Sequence, residues 1–64
     1  MKIVAKLGRE LVSGDIVRTW FGDQTILTML PYTGPFEFVS GIAQFPSAEM
    51  TIERDGVYEV LLPS

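Results

Sequence analysis

Turn-forming residues interrupt this chain so often that no long element fits between them. Gly8, Ser13-Gly14-Asp15, Gly22-Asp23, residues 31–35, Ser40-Gly41, Pro46-Ser47 and Asp55-Gly56 punctuate it from end to end. Between them lie runs of about four to six residues rich in Ile, Val, Thr, Phe, Tyr and Trp, side chains suited to a pleated, half-buried surface. No apolar stretch of helical period is long enough to compete, although a single helical turn fits at residues 9–11 or 47–49. The pattern predicts strands over 2–7, 15–21, 25–30, 36–39 continuing to 42–45 past Gly41, 49–53 and 57–61. A glycine between two strand-like runs marks a bulge or sharp bend. The expected architecture is therefore all-β: a small antiparallel barrel of five to six strands, closed or nearly closed, with a small open barrel as the alternative, one domain over residues 1–64.

Size limits how such a barrel is stabilised. A domain of 64 residues buries only about 60% of its unfolded surface. Set against roughly 1.5 kcal/mol of conformational entropy per ordered residue, that burial leaves a balance close to zero. The chain has no cysteine and no histidine, so neither a disulfide nor the usual zinc site is available. What remains is an efficient core, self-association, or both. The lack of cysteine fits a cytoplasmic protein, and Met1 to Lys6 regains charge too early for a secretory leader. No apolar run is long enough to span a membrane.

Charge is unevenly spread. Residues 1–36 carry Lys2, Lys6, Arg9 and Arg18 against Glu10, Asp15 and Asp23, a net +1; residues 37–64 carry Arg54 against Glu37, Glu49, Glu53, Asp55 and Glu59, a net −4. A basic footprint for nucleic acid is missing overall, and only the amino-terminal stretch offers a local one.

Two hairpins are expected. At Asp55-Gly56, a three-residue Arg54-Asp55-Gly56 loop sets Ile52 opposite Tyr58, Met50 opposite Val60 and Thr51 opposite Glu59. This separates an apolar face from a polar one, with Gly56 in the left-handed position. At Gly22-Asp23, Ile16, Arg18 and Trp20 alternate with Val17, Thr19 and Phe21, and Leu27 and Met29 alternate with Ile26, Thr28 and Leu30. In either register neither face is plainly polar, whereas a sheet with one solvated face shows a polar stripe. Both faces are then covered within the fold, or one meets a partner.

Catalytic equipment is sparse. Without His or Cys the usual bases and nucleophiles are gone, and no cofactor or metal motif is present. Asp15, Asp23 and Asp55 all adjoin glycines and are explained by turn chemistry. The chain reads as a non-enzyme.

The segment 30–36 is the best recognition loop. Two prolines stiffen it, and Tyr32 and Phe36 ride on it as preorganised aromatics, or else cap one end of the core. Trp20, the single tryptophan, is either a core residue under that loop or an interface anchor with Ile16 and Ile26. The candidate interaction surface is thus Ile16, Arg18, Trp20, Ile26, Tyr32 and Phe36. Glu49, Thr51, Glu53 and Glu59 make a candidate acidic stripe on the outward side of the last hairpin.

Leu11-Val12-Ser13-Gly14-Asp15-Ile16-Val17 resembles the Gly-Asp entry to the second strand of SH3-like barrels. A longer set looks like a group of short, uncharacterised proteins of bacteriophages and phage-like bacterial regions. It comprises residues 14–22, Pro31-Tyr32-Thr33-Gly34-Pro35 and Met50-Thr51-Ile52-Glu53. That resemblance implies a setting in the host cytoplasm or the virion and brings no activity with it. Sm-like RNA-binding barrels share the size and strand count. The function expected is a non-catalytic interaction or structural module that self-associates. The alternatives are a nucleic-acid-binding Sm-like or OB-like barrel and an acidic inhibitor of a host enzyme.

Overall fold

Most of the short runs of alternating apolar and polar side chains become strands, and most of the turn residues mark a change of direction. The computed structural model describes residues 2–63. These form seven strands in chain order: β1 (Lys2–Leu7), β2 (Ile16–Thr19), β3 (Gly22–Thr25), β4 (Thr28–Pro31), β5 (Val39–Gln44), β6 (Glu49–Glu53) and β7 (Val57–Leu62). A 3-10 turn, Gly8–Glu10, follows β1 and is held by the Leu7 N–H donating to Glu10 Oε1 at 2.9 Å. No helix among the described residues is long and apolar enough to cross a membrane.

The strands make two antiparallel sheets, one ordered β1-β7-β2-β3 and the other β4-β5-β6. The expected count of five to six strands is corrected to seven among the described residues, and of the closed and open alternatives the closed barrel is overturned: the two sheets remain open. On one side the chain passes between the sheets without a break. The Ile26 N–H donates to the Asp15 carbonyl at 2.8 Å, and the next N–H, of Leu27, donates to the Gln44 carbonyl at 2.7 Å. On the other side β1 and β6 do not pair, and the 3-10 turn spans the seam. There Gly8 N–H bonds the Gly56 carbonyl at 2.9 Å and Arg9 N–H the Arg54 carbonyl at 3.2 Å. Gly8 is buried, and a Cβ at this position would overlap the Glu53 carbonyl.

The core lies between the sheets. Val17 and Val60 enter it from the first, Ala43 and Ile52 from the second, Ile26 from the corner, and Leu11 and Phe45 from connecting segments. Complete burial of Val17, Ile26, Ile52 and Val60 contributes roughly 1.5–3 kcal/mol each. The bulge expected near Gly41 is present as a register shift between Val39 and Gly41 on β5. Gly41 is buried there, and a Cβ would stand 2.9 Å from the Leu30 carbonyl oxygen.

Both hairpin expectations need correction. The first turn is Trp20-Phe21, with Thr19 paired to Gly22 and Arg18 to Asp23. Gly22 leaves the loop with φ +115°, so the glycine sits at the exit of the turn and not inside it. Thr19 Oγ1 pins the turn by accepting the Phe21 N–H and donating to the Gly22 carbonyl. The true return strand, Gly-Asp-Gln-Thr, is polar. The apparent absence of a polar face came from reading β4, a strand of the other sheet, as the partner of β2.

The second hairpin does not exist as a ladder: β6 pairs with β5, and β7 pairs with β1 and β2. Residues 54–56 turn a corner between sheets, and Gly56 does not take positive φ. The separation of faces survives nonetheless. Ile52 and Val60 are buried and Glu49, Thr51, Glu53 and Glu59 exposed, because alternation belongs to each strand whatever its partner.

Candidate functional site

The β2–β3 turn carries the most exposed large apolar side chain among the described residues. Trp20 is 91% exposed. Its ring packs edge-on against Phe21 at 5.1 Å, and Phe21 packs edge-on against buried Phe45 at 5.9 Å. A short aromatic ladder thus leads from the core to Trp20, whose ring stands almost wholly in solvent. The choice between core and surface falls on surface, and Trp20 does not lie beneath the 31–36 segment.

Ile26, offered as its companion on an interaction surface, is 1% exposed and belongs to the core. The reason is its position at the corner, where the chain turns inward between the sheets. Ile16 is half-buried on β2, beside Leu61 of β7. Arg18 is exposed, with its Nε 3.5 Å from Asp23 across the ladder.

The segment after β4 folds on itself. The Tyr32 ring lies so close to Gly34 that a side chain there would displace it, and its hydroxyl accepts the Phe36 N–H at 3.4 Å. Tyr32 therefore orders its own loop. Phe36 is 56% exposed and stands 5.4 Å from the ring of Phe38, itself 51% exposed. Neither phenylalanine caps the core. Phe38 was missed by the sequence reading, which placed it within a strand, although its spacing of two from Phe36 was visible. Phe36 and Phe38 precede β5 and Phe45 follows it, so Trp20 and the phenylalanine pair stand beyond opposite ends of a strand that is itself roughly 17 Å long. The six proposed surface residues do not form one patch.

Cross-strand partners share a face of a sheet, which defines the outer surface of β4-β5-β6. One row is Thr28, Gln44 and Glu49; the next is Leu30, Ile42 and Thr51; beyond the bulge Val39 pairs with Glu53. The opposite row, Met29, Ala43 and Met50, faces the core. Glu49, Thr51 and Glu53 thus line one edge of an outer face whose middle is apolar. Glu59 lies on the other sheet, paired to Ala5, and is separate from that row.

The aspartates are engaged within the fold. Asp15 accepts Lys6 Nζ at 3.1 Å and the Val12 N–H at 3.1 Å, and Asp55 accepts Arg9 Nη1 at 3.1 Å. Among the described residues no cavity forms, and no three of the Asp and Glu side chains gather as a metal site would require. No family model, curated protein or solved structure matches this chain.

Proposed function

We propose that this chain is a non-catalytic interaction module that self-associates, a small SH3-like β structure of the bacteriophage type acting in the host cytoplasm or the virion. The observation that carries the reading is Trp20. A large aromatic standing in solvent on a backbone-pinned two-residue turn offers a partner a broad apolar surface to cover, the kind of side chain that anchors interfaces. The non-catalytic part rests on the absence of His and Cys from the sequence and on Asp15, Asp23 and Asp55 being occupied by Lys6, Arg18 and Arg9.

Sedimentation velocity across the micromolar range, with tryptophan emission followed in parallel, tests it. The expected result is a species larger than the monomer, a blue shift as concentration rises, and weaker association for Trp20→Ala. A monomer throughout, with unchanging red-shifted emission, overturns the self-association.

A second reading is an inhibitor that covers a host enzyme with an acidic surface, and the alignment of Glu49, Thr51 and Glu53 on one outward edge favours it. A partner retained from host lysate equally well by the Glu49→Lys, Glu53→Lys double variant rules out that surface.

A further inference from the structure

We infer that the outer face of the β4-β5-β6 sheet docks a basic, amphipathic segment of a partner protein. This rests on the reading of the chain as an interaction module and names the face and the chemistry of what meets it. Leu30, Ile42 and Val39 give the face an apolar middle. Along β6 the rim is Glu49, Thr51 and Glu53.

Charge decides the occupant. Lys6, Arg9 and Arg18 are each taken by an aspartate on the far side of the molecule or at its seam. Glu37, Glu49 and Glu53 form no ion pair among the described residues. Arg54, next after Glu53 in the chain, is a single cation against these three carboxylates. An apolar strip beside an uncompensated acidic rim suits lysine and arginine side chains, whose aliphatic stems cover the strip while their heads reach the carboxylates. A nucleic acid would be repelled by the same rim. A second copy of this chain, packed face to face with β6 over β6, would bring its own glutamates against the row.

The test is an amide chemical-shift titration of the whole protein with two probe peptides, one alternating lysine and valine and one alternating glutamate and valine. The lysine peptide is expected to move the amides of Leu30, Ile42 and Thr51, and not those of Ile3 or Glu59. Glu49→Lys with Glu53→Lys should weaken it by about tenfold or more, while Glu59→Lys on the other sheet should leave the affinity within about twofold. The inference is overturned if the shifts spread equally to Glu10 and Glu59, if the glutamate peptide binds as well, or if no shift occurs. It is also overturned if protein concentration alone moves these amides, since the face then belongs to self-association. Absence of shifts here together with concentration-dependent burial of Trp20 would sink this face and leave the module reading standing. Absence of both would remove the two together.

Discussion

A methyl group added at Gly8 would overlap the Glu53 carbonyl and press on Ile52, a side chain with no solvent exposure. The turn that spans the seam would have to lift away from β6, giving up the hydrogen bonds from Gly8 and Arg9. Gly8→Ala is therefore expected to cost about 2–3 kcal/mol, read as a lower midpoint in urea. Asp15→Ala removes a half-buried ion pair to Lys6 and the acceptor for the Val12 N–H at once. The expected loss is about 1–2 kcal/mol, of which high salt recovers little, because the hydrogen bond to the backbone is not screened. Trp20 makes the opposite case. With its ring almost wholly in solvent, Trp20→Ala should change monomer stability by less than about 1 kcal/mol while weakening association. A large drop in thermal midpoint for the dilute monomer would mean that the ring serves the fold.

Among the elements, β1 and β6 begin and end where the sequence pattern placed them, since charged or turn residues bound both. The faces of β6 and β7 were likewise legible, because alternation is local. Pairing was not. The Gly22-Asp23 dipeptide invites a turn centred on itself, yet Thr19 closes the loop two residues earlier and leaves Gly22 to supply the positive φ. A turn centred on Gly22-Asp23 would pair β2 with the apolar β4; the observed partner, β3, is polar, so no two-sided apolar hairpin exists to favour association. Exposed side chains are what now support association. Gly22→Ala should strain this exit and cost about 1 kcal/mol, with a larger chemical-shift change at Trp20 than anywhere in β5. Of the candidate site, the acidic row on β6 could be read from sequence. The apolar middle beside it could not, because Leu30, Ile42 and Val39 come together only through the β4-β5-β6 registers and the bulge.

At the scale of the molecule, β4, β5 and β6 follow one another in the chain and pair in that order, whereas β1 and β2 meet only through β7. The small sheet is a local structure; the larger one depends on a strand far along the chain, which is why its order escaped the sequence reading. The β1–β7 ladder runs from Lys2 with Leu62 to Leu7 with Val57, so both ends of the described chain leave the molecule at one place. Its resistance to force should depend on the points of attachment. Pulled apart at those two ends, the ladder parts one pair after another, each bearing the load alone. Held instead at the amino end and at the Trp20 turn, the molecule is not obliged to open that ladder pair by pair. Single-molecule stretching in the two geometries should give a lower rupture force in the first, and equal forces would show that some other contact fails before the ladder does.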